Sequence, residues 1–282
     1  MNFSIITSVY KNDTPQFVST AFNSIINQTL PPSEIVLVID GNISDELNKL
    51  ITNFNIDYPN LFTIIRLPQN KGLGNALNIA TSAAKYDIIA RMDSDDIANP
   101  TRFEKQIRQF ELDPELSILG GTISEFIDDP KNIIGYRVCP CKDNEIKNDM
   151  RSRCALNHVT VMFRKSDVIK AGNYLDWFWN EDYYLWIRMI LINCKFANLS
   201  DVLVNVRSGK DMYARRGGIK YFKSEASLQK YMLQNKLINK KEFFINVIKR
   251  LIVQVILPNN IRGWVFKKFA RKQKPFQTLS TF

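Results

Sequence analysis

The chain has 282 residues, 45% hydrophobic and 23% charged, the composition of an ordinary folded protein rather than a disordered or fibrous one. No apolar run approaches the roughly 20 residues of a spanning helix. Four cysteines without a CxxC pair and a single histidine argue against a structural zinc site or a disulfide framework, while a net charge of +10 points to an anionic partner: nucleic acid, nucleotide or anionic membrane.

The N-terminus passes into the apolar run from Phe3 to Tyr10 with no basic leader or cleavage site, so no signal peptide is expected and a reducing cytosol is the simplest compartment. Thr14-Pro15 then opens a helix with Phe17, Ala21, Phe22, Ile25 and Ile26 on one face, and Pro31-Pro32 breaks it. Glu34 to Ile39 reads as a second strand that ends on Asp40-Gly41. Ser44 caps a helix to about Phe54, and Phe62 to Leu67 is a third strand. Asn70-Lys71-Gly72-Leu73-Gly74-Asn75 is a glycine-rich turn into a helix from about Ala76 to Ala84. It is a weak phosphate-loop signal, since it lacks the lysine and hydroxyl of an NTPase loop. Tyr86 to Met92 is the fourth strand. This β-α-β-α alternation predicts a parallel sheet covered by helices on both faces.

The fourth strand delivers Asp93-Ser94-Asp95-Asp96, and Asn99-Pro100 looks like the cap and first residue of the next helix. Carboxylates packed this densely repel one another unless a cation or donors compensate. Their place at the C-terminal end of a strand is where open α/β sheets bind ligands. A solvated acidic turn is one reading; a divalent-metal site serving a phosphate-bearing substrate is the other. Asp40 ends its strand on the same edge, where it could accept hydrogen bonds from a base or ribose, or simply form the turn. In the second half, Glu181 and Asp182 open an apolar helix running from Tyr183 to Ile192, where the helix dipole favours an ionised carboxylate. Trp177, Trp179, Tyr183 and Trp186 crowd this region. His158 stands at a strand start before it, open to a role as metal ligand, acceptor contact or structural group.

Taken in order, Ile5 to Tyr10, Val38-Ile39-Asp40-Gly41, Asn70-Lys71-Gly72, Met92-Asp93-Ser94-Asp95-Asp96 and Asn180-Glu181-Asp182-Tyr183-Tyr184-Leu185-Trp186-x-Arg188 resemble the inverting family 2 glycosyltransferases of the GT-A fold, notably bacterial O-antigen and exopolysaccharide enzymes. The resemblance runs from Phe3 to about Arg207. It implies an α/β GT-A fold: a mixed, mainly parallel sheet flanked by helices, with a basic helical C-terminal extension. It divides the chain into a catalytic domain over 1–207, with a nucleotide-binding half (1–98) and an acceptor-binding half (99–207), and a basic loop with a membrane-associating helical region over 208–282.

The implied activity is transfer of a hexose, galactose or glucose, from a UDP-sugar to an undecaprenyl-diphosphate-linked amino sugar, forming a β-linkage in surface polysaccharide synthesis. By this similarity Thr7, Val9 and Tyr10 line the nucleoside pocket with Asn70, Lys71 and Ser94, and Asp40 contacts the uracil. Asp93 holds the ribose side and, with Asp95, a manganese or magnesium ion that bridges the diphosphate; Asp96 contacts the donor sugar or supports the turn. Asp182 is the base and Glu181 its neighbour. His158 and Trp179 face the acceptor. Transfer to a lipopolysaccharide core or another glycan is the alternative within the class, and a nucleotide-sugar-binding protein the alternative outside it.

Asp211 to Tyr221 carries Arg215-Arg216 before Gly217-Gly218, a cationic segment whose guanidinium forks match a diphosphate. From Lys236 to Lys274 eleven basic residues face one acid, Glu242, and are interleaved with Phe243, Phe244, Ile248, Leu251, Ile252, Trp264 and other apolar residues. Basic helices with bulky apolar faces lie on anionic membranes. Peripheral binding at the inner face of the cytoplasmic membrane is therefore expected, and no nucleic-acid motif is present.

Overall fold

The computed structural model describes residues 1–209 and 217–258. Arg215, Arg216 and the distal part of the basic tail, from Arg262 to Lys274, lie outside the described residues. The first half runs β1 (Ser4–Val9), α1 (Pro15–Ile26), β2 (Glu34–Asp40), α2 (Asp45–Asp57), β3 (Phe62–Leu67), α3 (Leu73–Ala83), β4 (Ile88–Arg91), β5 (Ile97–Ala98) and α4 (Arg102–Leu112). The second adds β6 (Leu116–Phe126), β7 (Ile133–Arg137), α5 (Asp143–Asp149), a 3-10 turn (His158–Thr160), β8 (Met162–Arg164), α6 (Lys165–Lys170), α7 (Glu181–Leu191) and β9 (Lys195–Arg207). Two further helices, α8 (Ile219–Gln234) and α9 (Lys240–Leu251), and a π-helical turn (Ile252–Ile256) follow. Among the described residues no helix is long and apolar enough to cross a membrane.

The strands form one sheet in the order β3-β2-β1-β4-β8-β6-β9-β5, with β7 paired to β6. The pairs β1–β2, β1–β4 and β2–β3 are parallel. β8 then enters antiparallel between β4 and β6, and β6 pairs parallel with β9. The β5–β9 and β6–β7 pairs are antiparallel as well, so the sheet is mixed, as the family resemblance implied, where the alternation of strands and helices alone predicted a parallel one.

The two-residue period of each strand divides the core. Ile5, Ile35, Leu37 and Leu119 pack with Phe22 of α1, Leu47 and Ile51 of α2, and Phe103 and Phe110 of α4. Their neighbours Ile6, Val36, Val38 and Ile118 face the other way, onto Leu77 of α3, Trp186 and Met189 of α7, and Leu228 and Met232 of α8. With both faces covered, β2 is buried along its whole length, so it reads as an unbroken apolar run. α8 is thus built into the body of the molecule. Trp177 Nε1 donates to the Ser224 carbonyl at 3.2 Å, and the Tyr184 and Tyr231 rings meet edge to face at 5.0 Å.

Ser44 caps α2 as expected, its hydroxyl accepting from the Leu47 N–H at 3.2 Å. The helix expected to begin at Asn99-Pro100 instead starts at Arg102, with Thr101 as its cap. The reason is non-local. The Asn99 N–H continues the β5–β9 pairing by donating to the Leu203 carbonyl at 2.9 Å, and the Asn99 carbonyl accepts from Gln28 Nε2 at 2.8 Å. The backbone is therefore held extended, and the Asn99 side chain forms a local turn onto the Thr101 N–H.

Candidate active site

β1, β2 and β4 run parallel, so Tyr10, Asp40 and the Asp93–Asp96 turn emerge on one edge of the sheet. The turn is clamped at each position. Arg91, the last residue of β4, is buried and forks onto Asp93: Nη1 donates to Oδ2 at 2.8 Å and Nη2 to Oδ1. Ser94 Oγ donates to Asp13 Oδ2 at 3.2 Å, and the same oxygen accepts the Tyr10 N–H at 2.9 Å. Asp96 is buried and accepts the Arg207 N–H at 2.8 Å. The Arg207 guanidinium sits over the rings of Phe17 (3.8 Å) and Phe126 (4.8 Å), and its Nε reaches the Asp95 carbonyl at 3.3 Å.

The Asp95 side chain meets solvent on one side and is hemmed in by protein on the other. That crowding and the charges of Asp93 and Asp13 raise its carboxyl to about 6. Burial raises Asp13 to about 6 as well, and burial with Asp93 and Asp95 lifts Asp96 far above the usual range. Burial opposes the charge of Arg91, but Asp93, Tyr174 and Asp96 more than offset it. The turn is thus a set of hard oxygen donors held ready and short of positive charge, which suits a divalent cation. Among the described residues no three or more His, Cys, Asp and Glu side chains form a complete cage. An ion held here by one or two carboxylates would complete its shell with water and substrate phosphates.

On the nucleotide side, Thr7 and Val9 are buried and Tyr10 is exposed. Thr7 Oγ1 is buried with no hydrogen-bond partner. Asp40 is buried at the end of β2, where Oδ1 accepts the Lys71 N–H at 2.7 Å and Oδ2 the Gly72 N–H at 3.0 Å. Asn70 Nδ2 also donates to the Asp40 carbonyl at 3.2 Å. Asp40 therefore buckles β2 to the glycine-rich turn. Gly41 (φ +87°) lets the two backbones approach: a Cβ there would lie 2.7 Å from Asn70 N. Gly72 (φ +86°) precedes α3, and at Gly74 the helix comes so close to α7 that a Cβ would sit 3.3 Å from Glu181 Cβ.

That approach brings the second-half acids to the first half. Burial and Asp182 raise Glu181 to about 7. Burial also raises Asp182, against the lowering effects of the Tyr183 N–H, Arg91 and Arg137. The Tyr183 N–H donates to Asp182 Oδ1 at 2.7 Å, while Oδ2 lies 3.9 Å from His158 Nδ1. His158 Nε2 in turn pairs with the buried Tyr174 hydroxyl at 3.0 Å. His158 occupies the 3-10 turn ahead of β8 rather than the strand itself, and both ring nitrogens face protein groups. Arg91 acts on Asp93, Asp95, Asp96, Glu181 and Asp182 together, so both acid groups border one electrostatic site. Trp179 (φ +55°) is half exposed, stacked on Phe178 at 4.7 Å and 5.9 Å from Tyr221 of α8, whereas Trp186 is wholly core. Arg91, Asp13, Arg207, Tyr174 and Arg137 belong to this region without having been singled out in the sequence. Only Arg91, inside the acidic stretch, carried a local signal: a charged residue in a strand that reads as buried.

Residues 4–170 match the family model described as Glycosyl transferase family 2. An uncharacterized glycosyltransferase of Haemophilus influenzae is 40% identical over 276 residues, spanning 96% of this chain and all (100%) of that protein. A UDP-Gal:alpha-D-GlcNAc-diphosphoundecaprenol beta-1,3-galactosyltransferase of Escherichia coli is 35% identical over 272 residues, covering 96% of this chain and 97% of its own. Among solved structures, S. aureus TarS (residues 1–349, with UDP-GlcNAc) superposes with a TM-score of 0.66 at 16% identity, covering 89% of this chain and 73% of that one. This last likeness bears on the fold alone.

Proposed function

This chain belongs to glycosyl transferase family 2 and is a glycosyltransferase, and we propose that it moves a hexose, galactose or glucose, from a UDP-sugar to a lipid-diphosphate-linked amino sugar with inversion, in O-antigen-type polysaccharide synthesis. The observation that carries this reading is one site bordered by a cation-seeking acidic turn and a second, separate pair of carboxylates at the start of α7. Near full-length similarity to an enzyme named for UDP-galactose and a GlcNAc-diphosphoundecaprenol acceptor supports the choice of substrates.

In this reading Thr7, Val9, Tyr10, Asn70, Lys71 and Ser94 line the nucleotide pocket, and Asp40 holds its wall and meets the base. Asp95 and Asp93 would hold a manganese or magnesium ion, which neutralises charge on the departing diphosphate. Asp182 accepts the proton of the acceptor hydroxyl. The acceptor oxygen bonds to the anomeric carbon as the bond from that carbon to the diphosphate oxygen breaks, and the electron pair leaves on UDP. Glu181, raised to about 7 by burial and by Asp182, is partly protonated at neutral pH and stands beside the base as its neighbour. His158 and Trp179 flank the acceptor, and Arg215 or Arg216 grips a diphosphate.

A membrane-linked acceptor requires the enzyme at a surface. Phe244, Ile248, Ile252 and Ile256 are exposed at four-residue spacing along α9 and the π turn, with exposed Lys240, Lys241 and Lys249 on the same helix. We assign this stripe to an anionic leaflet. Vesicle flotation tests it: Phe244→Glu with Ile248→Glu should abolish binding to anionic vesicles, and unchanged binding rejects the stripe.

The reaction is tested by UDP release from a panel of UDP-sugars, with manganese and a short-chain lipid-diphosphate GlcNAc or GalNAc. Release with one donor that needs acceptor, metal, Asp95 and Asp182 supports the proposal. Full activity in Asp182→Asn removes Asp182 as base, and no release with any pair overturns the substrate assignment.

A further inference from the structure

His158 is the only histidine of the chain, and its surroundings leave it one electrically sensible tautomer. Its side chain is 12% exposed and that of Asp182 22%. The ring lies among Tyr174 (5.7 Å between centroids) and Trp186 (6.0 Å), which themselves pack on Phe163. Tyr174 is wholly buried and fixed at both backbone polar groups: its N–H donates to Asn173 Oδ1 at 2.7 Å, and its carbonyl accepts from Asn78 Nδ2 at 2.6 Å. Its buried hydroxyl lies 3.0 Å from His158 Nε2.

A buried hydroxyl proton needs an acceptor. Among the described residues the acceptor within hydrogen-bond reach of the Tyr174 hydroxyl is that imidazole nitrogen. If Nε2 carried the proton, the tyrosine hydroxyl would be left without an acceptor, and the bare lone pair of Nδ1 would face the carboxylate of Asp182 at 3.9 Å. If Tyr174 donates to Nε2, the ring proton sits on Nδ1, 3.9 Å from Asp182 Oδ2. The tyrosine hydroxyl then has its acceptor, and a positive N–H rather than a bare lone pair lies nearest the carboxylate.

We propose that Tyr174 and His158 are positioning residues for Asp182: Tyr174 O–H donates to Nε2, which places the imidazole proton on Nδ1, and Nδ1–H orients the Asp182 carboxylate for proton abstraction. The assignment of Asp182 as base rests on the function proposed above; the tautomer does not. Burial and the charge of Arg91 keep the imidazole neutral well below its ordinary range, and burial keeps the tyrosine protonated. The contact is long at 3.9 Å without substrate, as such contacts often are before the reacting complex closes. One Asp182 oxygen takes the Tyr183 N–H and the other faces Nδ1–H, which leaves lone pairs on the carboxylate for the incoming proton.

With a single histidine, nitrogen-15 NMR of the full-length, tag-free protein labelled at histidine reads one imidazole. The expected spectrum at pH 7 has a protonated Nδ1 and a pyridine-type Nε2. A protonated Nε2, or an imidazolium titrating near the ordinary histidine value of 6.5, overturns the proposal whatever the activity.

Kinetics test the consequence. Tyr174→Phe should lower kcat about tenfold to a hundredfold with donor KM little changed, and move the acid limb of the pH–kcat profile to higher pH as Asp182 loses a stabilising donor. The other groups acting on that carboxylate, Glu181, Arg91, Arg137, Cys154 and Tyr183, stay in place. His158→Asn, which keeps a donor near the Nδ1 position, should retain more kcat than His158→Gln. A fall in kcat with an unmoved acid limb and equal loss in Asn and Gln marks a merely structural role and rejects the inference. An Nδ1–H tautomer with Asp182→Asn fully active keeps the tautomer but removes the base, which refutes the function reading instead.

Discussion

Arg91→Met removes a buried cation that, among the described residues, acts on both groups of acids. The Arg91 side chain is 3% exposed and its fork partner Asp93 36%. Breaking a fully buried ion pair from one side costs about 3–5 kcal/mol. Asp93 can rehydrate here, so roughly half of that applies, about 1.5–2.5 kcal/mol. Two features offset part of the remainder. Arg91 Nε is a buried donor with no partner, and its loss relieves that. Arg102, pushed down to about 9 by burial and by Arg91, loses a repulsive neighbour while keeping its bonds to Gln106 Oε1 (3.0 Å) and the Arg91 carbonyl (2.8 Å). The net expectation is a loss of about 1–2 kcal/mol, a fall in Tm of roughly 2–8 °C for a chain of this size. Activity should fall far more, by about two orders of magnitude in kcat/KM, because Asp93 loses its clamp and Asp182 loses the charge that favours its ionised form. The acid limb of the pH–rate profile should move to higher pH. Arg91→Lys should restore part of the limb position but not the rate, since ammonium keeps the charge without the fork. Differential scanning calorimetry and UDP release across pH 5–9 measure all three. A Tm within one degree of wild type together with an unshifted acid limb would falsify the electrostatic role assigned to Arg91.

The raised carboxyl of Glu181 makes stability fall as pH rises. Its folded value of about 7 stands above the ordinary glutamate value of 4.5, so the folded state binds more protons between these values, and its contribution is full below 4.5 and lost through 7. Glu181→Gln should therefore be more stable than wild type by about 1–3 kcal/mol at pH 8 and nearly equal to it at pH 4.5; urea midpoints at the two pH values decide this, and equal gaps at both would reject it. At Gly120 an added Cβ would collide with Asn198 Oδ1 and lie 2.9 Å from Leu156 Cδ2. Asn198 cannot turn aside without losing its bonds to the Pro140 (2.7 Å) and Ala155 (3.0 Å) carbonyls. Gly120→Ala should cost about 2–3 kcal/mol in calorimetry; a loss under about 0.5 kcal/mol would mean that β6 and β9 can part freely.

Elements whose causes are local were legible in the sequence: the apolar runs of β1, β2 and β3, the Thr14-Pro15 start of α1 and the Ser44 cap of α2. The Asn99-Pro100 helix start failed because strand pairing with Leu203, far along the chain, outweighs a cap preference worth about 1 kcal/mol. The same division runs through the site. A dense acidic turn can be seen in a few residues, but what neutralises it cannot. Asp96 leans on the Arg207 backbone, 111 positions away, and Asp182 faces a histidine that a tyrosine holds from a third segment. Net charge is blunt in a related way. The excess of +10 points to an anionic partner, in keeping with a relative named for a UDP-sugar and a diphosphate-linked acceptor, but it does not locate the cation in the site. The cation that acts on both groups of acids is Arg91, which is buried. A strand otherwise made of Ile and Ala has no packing reason to carry an arginine at its end. In a run that pattern marks as buried, the residue that breaks the pattern is the one to ask about, because burying a charge is tolerated only where an opposite charge awaits it.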